Sequence, residues 1–168
     1  MAGPLIVAVD LAVPDFARLN SLRRAHYPPG RNHLPAHLTM FHALPPSVES
    51  EAKQLLAGAV AVHPPRAKIV GLMNLGAGVA FRVASADLED IREEIACHFH
   101  GMLGAQDAQG WTPHVTIQNK VKPGEALALL RRLEQDFRPC ELGIAGLSLH
   151  RYLGGPWERV GRYSFRGA

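Results

Sequence analysis

The sequence predicts an α+β protein of two pseudo-symmetric lobes, each a mostly antiparallel sheet with outer helices, around a central cleft carrying two His-x-Thr motifs. Three observations predict it. His37-Leu38-Thr39-Met40 and His114-Val115-Thr116-Ile117 both read His-apolar-Thr-apolar. Successive side chains of a strand point to opposite faces, so each segment shows an imidazole and a hydroxyl on one side and buries apolar residues on the other. The chain has nine histidines and only three threonines, Thr39, Thr112 and Thr116. Random placement would give about 0.16 His-x-Thr pairs, a guard against the false positives of short motifs. The order after each motif also repeats: motif strand, helix, strand, glycine turn, strand, with the two histidines 77 positions apart. Like units pack about a pseudo-twofold axis, by analogy with symmetric pairs, and this would bring the motif faces together.

The 168 residues fit one bilobal domain spanning 1–168. At 47% hydrophobic and 20% charged residues, the composition is that of a globular chain that buries a core without staples. Cys97 and Cys140 are too few for a disulfide scaffold and read as buried thiols in a reducing compartment. The first residues lack a basic start and carry Asp10, so they read as a strand and not a signal peptide. No run approaches the ~18 apolar residues of a membrane span. A soluble, cytoplasmic monomer is expected. The net charge of +3 fits an anionic ligand without demanding one. Arginine greatly outnumbers lysine, which suits phosphate recognition but equally reflects genomic base composition.

Leu5 to Leu11 reads as a buried strand. Pro14 suits the first turn of a helix whose apolar face is Phe16, Leu19 and Leu22. His26 to Pro35, with three prolines and a glycine, is a loop. The first motif strand runs to about Leu44. Ser47 is positioned to cap a helix with Glu49 and Glu51 in its first turn. Strands at about Ala67–Leu75 and Val79–Ala84 flank Gly76-Ala77-Gly78, a hairpin signal. Ser85 caps the next helix, whose stripe is Leu88, Ile91, Ile95, Phe99 and Met102. Residues 101–110 form a flexible connection to the second motif strand, about His114–Asn119. Pro123 opens a helix with Leu127, Leu130, Leu133 and Phe137 on one side. Strands at about Cys140–Tyr152 and Trp157–Phe165 close the chain around Gly154-Gly155-Pro156.

Two histidines facing one cleft can divide acid and base work near neutral pH. Threonine hydroxyls beside them can donate hydrogen bonds to non-bridging phosphate oxygens. Such a site suits in-line displacement at a phosphodiester, above all a strained cyclic one.

These paired motifs, in a two-lobed repeat, resemble the two-histidine phosphoesterases, nearest to the 2′-5′ RNA ligase-like proteins and RNA cyclic phosphodiesterases. Pro35-Ala36-His37-Leu38-Thr39-Met40 is similar to the first motif of that family. Pro113-His114-Val115-Thr116-Ile117 is similar to the second, with Trp111 in its usual aromatic or apolar place. The resemblance implies His37 and His114 as the acid–base pair, Thr39 and Thr116 on the phosphate, and no metal or cofactor. It also implies substrates among RNA ends or small nucleotides with a 2′,3′-cyclic phosphate, and in some members 2′-5′ joining. The chain departs from the pattern where Gln118 and Asn119 replace a basic residue, and where Phe41-His42-Ala43 follows the first motif.

Strand alternation would place Phe41 and Gln118 on the catalytic faces, Phe41 either stacking on a base or plugging the cleft. Tyr27 and Arg31 lie in the proline-rich loop, and Arg151, Tyr152 and Trp157 in or beside the last hairpin. Arginine and aromatic side chains hold phosphates and unstacked bases. Of these, Arg151 and Tyr152 are the first expectation for substrate binding, with Tyr27 behind them. A metal site is the competing chemistry. Pro35 breaks the helix that would align His33 with His37, and His98 and His100 diverge on a helix. His26, His63 and His150 have no partner visible in the sequence. A non-catalytic nucleotide-binding module would keep the same motifs, whereas a purely structural domain would leave them unexplained.

Overall fold

The computed structural model describes residues 2–168. The chain runs β1 (Leu5–Leu11), α1 (Val13–His26), β2 (Leu38–Leu44), α2 (Glu49–Ala59), β3 (Ala67–Asn74), β4 (Val79–Ala84), α3 (Ala86–His98), α4 (Ala105–Ala108), β5 (His114–Gln118), α5 (Pro123–Asp136), β6 (Cys140–Leu142), β7 (Ile144–Tyr152) and β8 (Trp157–Ser164). Short 3₁₀ turns lie at Pro29–Arg31 and Pro46–Val48.

The eight strands form one antiparallel sheet in the order β6-β3-β4-β5-β2-β1-β7-β8. That order is symmetric about the β5–β2 seam, and the seam is what divides the sheet into two lobes. Across it the strands are paired at Leu38 and Val115. In each lobe the motif strand lies next to the strand that precedes it in the chain, β1 beside β2 and β4 beside β5. The chain builds the two lobes differently. The consecutive strands β3 to β6 make one, with β3 and β4 as a hairpin, whereas β7 and β8 return to complete the lobe begun by β1 and β2.

Alternation along the motif strands holds where it matters for the core. Leu38, Met40, Val115 and Ile117 are fully buried, while His37, Thr39, His114 and Thr116 keep partial access on the other face. Each fully buried aliphatic side chain contributes about 1.5–3 kcal/mol, so four of them anchor the two motifs firmly. Helices close the apolar side: α2 packs on β7 and β8, α5 on β3 and β4, and α1 on β5.

Ser85 caps α3 as expected, its Oγ accepting from the Leu88 amide at 3.1 Å. Ser47 does not cap α2. It belongs to a 3₁₀ turn, and α2 begins at Glu49 without a side-chain cap. The connection over 101–110 contains α4, which carries the buried Asp107. Met102 leaves the α3 stripe because Gly101, at φ 85, turns the chain away, and its side chain is half exposed. On α5 the buried positions are Ala126 and Leu129, and Leu127 faces outward. The expected strand from Cys140 divides at Gly143, whose amide donates to Asp15 Oδ2 at 2.8 Å. A Cβ at Gly143 would meet the Ala12 side chain at 2.6 Å. Both cysteines are free but exposed, contrary to the buried thiols expected. Among the described residues, no helix is long and apolar enough to cross a membrane.

Candidate active site

The seam brings the two motifs together. Extending the Leu38–Val115 pairing by one residue each way sets His37 opposite Thr116 and Thr39 opposite His114, all on the face away from the core. The two histidines are then diagonal neighbours, about 7–8 Å apart at most in their Cβ positions. Each imidazole is fixed in the same way. His37 Nδ1 bonds the Pro35 carbonyl at 2.9 Å, and His114 Nδ1 bonds the Thr112 carbonyl at 2.8 Å. A carbonyl only accepts, so Nδ1 carries the proton in both rings and Nε2 is the nitrogen left for chemistry.

The surroundings of the two rings differ. His37 is half-buried at the foot of a cleft of about 530 Å³, against the Trp157 ring at 4.7 Å between centroids. Burial lowers its pKa to about 4. The bond to Pro35 opposes that shift, and the positive fields of Arg23, His150 and His114 add to it. His150 packs on the other side of Trp157, at 5.3 Å between centroids. Its Nε2 is 2.8 Å from Ser148 Oγ, which donates to Asp10 Oδ1 at 2.8 Å. Burial holds His150 below its ordinary value, with Asp10 raising it and Arg159 lowering it.

Both motif strands bulge at the same place. Thr39 pairs with Ala8 and Phe41 with Val7, so Met40 is an extra residue in β2. Thr116 pairs with Ala80 and Gln118 with Val79, so Ile117 is extra in β5. A bulge breaks the two-residue period. This corrects two expectations. Phe41 turns into the core at 0% exposure, and Gln118 is buried after Ile117. Neither shares the face of its threonine, and Phe41 has no free face for a base.

A buried arginine braces each motif strand. Arg92 of α3 donates from Nε to the Met40 carbonyl at 3.1 Å and from Nη2 to the Asp107 carbonyl at 2.8 Å. Its guanidinium stacks 4.7 Å over the Phe41 ring. Arg23 of α1 donates from Nη1 to the Thr116 carbonyl at 3.0 Å and from Nε to Asn32 Oδ1 at 2.8 Å. It lies 4.2 Å over the Tyr27 ring, which explains why Tyr27 is a buried support and not a substrate contact. Among the described residues Arg23 has no carboxylate partner. A buried cation without a counter-ion makes the floor of the site electropositive. Trp111 Nε1 donates to the Thr39 carbonyl at 3.0 Å, and Asp107 accepts the His42 and Ala43 amides at 2.8 and 2.9 Å.

Arg151 is also corrected. It projects from the opposite face of β7 to His150 and is held between Glu49 and Glu158, at 2.9 Å from the latter. Tyr152 stays 40% exposed on the hairpin opposite Trp157. Trp157 takes the place in the cleft that was expected of Arg151 and Tyr152. His150, Asp10 and Arg23 carry no site signal in the sequence, because the returning β7 strand, β1 and the first helix meet the motifs only in the folded chain. Among the described residues, no group of three or more His, Cys, Asp or Glu side chains could hold a metal ion.

The model of the 2′-5′ RNA ligase superfamily matches residues 11–156, most of the chain. The chain belongs to that superfamily. No curated protein matches it by sequence. Among solved structures, the Thermus thermophilus protein TT0787 is 18% identical, with a TM-score of 0.67 over 98% of each chain. Escherichia coli LigT complexed with 3′-AMP is 16% identical, with a TM-score of 0.61 over 98% of this chain and 99% of that one. The LigT structure complexed with NADP+ is 16% identical, with a TM-score of 0.58 over the same shares. At these identities the neighbours establish a common fold. Superfamily membership makes the chain a phosphoesterase or RNA-ligase-like enzyme.

Proposed function

We propose that this enzyme is a metal-independent phosphoesterase of 2′,3′-cyclic phosphate ends of RNA or nucleotides, with His37 and His114 as its acid–base pair. The observation that carries the reading is the matched fixing of two imidazoles by Nδ1 bonds to the carbonyls of Pro35 and Thr112, on one face of the seam. Both Nε2 atoms are free to exchange protons with a group between them. Thr39 and Thr116 hold two non-bridging oxygens of the phosphate, and the buried charge of Arg23 favours an anion there.

In hydrolysis, water attacks phosphorus in line with the departing ribose oxygen. Neutral His37, kept so by burial, takes the proton from water as the new P–O bond forms. Protonated His114 gives a proton to the ribose oxygen as the old P–O bond breaks. The product is a phosphomonoester, and the two rings exchange protons with solvent to restart. With a ribose hydroxyl in the role of water or leaving group, the same pair would serve 2′-5′ joining, which supports a reversible ligase as the second reading.

A panel of nucleoside 2′,3′-cyclic phosphates and RNA ends, with products identified, tests the proposal. Turnover to one monophosphate isomer is expected. Tight nucleotide binding without turnover by the wild-type protein would overturn it in favour of a non-catalytic binding module.

A further inference from the structure

The pseudo-twofold relates not only the motif strands but also their neighbours. In one lobe Thr116, Val115 and His114 pair with Ala80, Phe81 and Arg82 of β4. In the other, Thr39 and Leu38 pair with Ala8 and Val9, and one further step along β1 sets Asp10 beside His37. The next strand outward carries a glycine in both: Gly71 opposite Arg82, and Gly146 opposite Asp10. The rows therefore read His114–Arg82–Gly71 and His37–Asp10–Gly146, and they differ in one respect that matters: the residue flanking the histidine is cationic in one and anionic in the other.

The two charges are also in different states. Asp10 is engaged by the Ser148 hydroxyl and lies 3.6 Å from Arg162 Nε. Its Oδ2 is buried, so a ligand in the cleft does not reach it. Arg82 is exposed, and none of the ion pairs among the described residues involves it. A Cβ at Gly71 would meet nothing within 4 Å, so the space beside Arg82 is open. On the His37 side the corresponding glycine is packed against β8, where a Cβ at Gly146 would run into the Tyr163 carbonyl, and the cleft there is lined by Asp10, Arg159 and Arg162.

We propose that Arg82, over the open floor at Gly71, forms a second anion subsite that takes the phosphate on the 5′ side of the terminal ribose. The inference rests on the reading of the seam as the reacting-phosphate site. From the middle of the seam to β4 is one and a half strand spacings, about 7 Å. That places Arg82 beyond His114 and not on the reacting phosphate, at a separation suited to the two phosphates borne by one nucleotide. A guanidinium meets such a phosphate with two parallel donors. The substrate is thereby oriented, with its 5′ side over the lobe of β4 and β3.

The test compares a nucleoside 2′,3′-cyclic phosphate with and without a 5′-phosphate, for wild type and for Arg82→Met and Arg82→Lys. Wild type should favour the 5′-phosphorylated substrate in kcat/KM by roughly tenfold or more, the worth of one charged hydrogen-bonded contact. Arg82→Met should collapse that ratio towards one, and Arg82→Lys should restore part of it. On a single-stranded oligonucleotide ending in a cyclic phosphate, the salt dependence of binding should weaken by about 0.7 in log–log slope with Arg82→Met. Equal losses on both substrates would place Arg82 at the reacting phosphate or in the fold and overturn the subsite, as would the absence of a 5′-phosphate preference in wild type. Failure of wild type to turn over either substrate would overturn the phosphoesterase reading, and the subsite with it.

Discussion

Arg92 donates to the carbonyl of Met40, and Met40 is the residue that bulges from β2. A bulged residue leaves its backbone groups out of the ladder, and a buried carbonyl there needs another donor. Arg92 supplies it from α3 while covering the Phe41 ring that the same bulge turned inward. Phe41→Ala should therefore destabilise the protein by about 3–5 kcal/mol, the usual cost of emptying a buried aromatic site. A urea titration measures it. A variant of normal stability with a raised KM would return Phe41 to the substrate.

His37→Ala and His114→Ala should each lower turnover by about 10²–10⁴-fold, the worth of a positioned acid or base. The double variant should lose less than the product of the two, since the pair works as a unit. Thr39→Val and Thr116→Val should cost less than either. Near-normal kcat in a single histidine variant would end the assignment.

The low pKa of His37 sets a pH window for stability. The unfolded chain takes up a proton at the ordinary histidine value of about 6.5, whereas the folded protein does not until about 4. Between those values the unfolded state binds more protons, so stability falls as the pH drops through the window. His150 is displaced in the same direction. Denaturant midpoints at pH 7 and pH 5 should differ, and by less in His37→Gln. The same shift moves the acid limb of kcat/KM below the pH 6 to 8 range expected of unperturbed histidines, with both limbs belonging to the coupled pair. An acid limb near pH 6.5 that survives in the free enzyme would contradict the neutral His37.

Turnover should survive thorough chelation. Divalent ions in phosphoryl chemistry are held by carboxylates or histidine clusters; the one carboxylate lining the cleft, Asp10, is engaged by Ser148 and Arg162, and among the described residues no three ligating side chains gather there. Loss of activity on chelation, restored by one divalent ion, would overturn the mechanism and direct attention to His33, His37 and His42.

Arg151→Ala should leave kcat/KM within about twofold, because its guanidinium is committed to Glu49 and Glu158 on the far face. Trp157→Ala should raise KM instead, since Trp157 lines the cleft against His37.

The motif strands were legible because they obey the two-residue period, and their apolar partners have nowhere to go but the core. Legibility ended one residue past each threonine. The bulges at Met40 and Ile117 leave no local mark in the sequence, so Phe41 and Gln118 were assigned to the wrong face. Arg23 and Arg92 were invisible for another reason: each sits on a helix far from the strand it braces, and only the tertiary fold brings them together. His150 and Trp157 reach His37 through the pairing of β7 with β1, a contact between opposite ends of the chain.

One lobe is a continuous stretch of chain, β3 to β6 over residues 67–142, whereas the other joins β1 and β2 to β7 and β8 from much later in the chain. The order of synthesis therefore treats the two unequally. The lobe of His114 has all its strands before β7 emerges, while the outer neighbour of β1, on the His37 side, arrives only after them. His150 and Trp157 reach His37 by the same late pairing, so the cleft is the last part of the molecule to be completed.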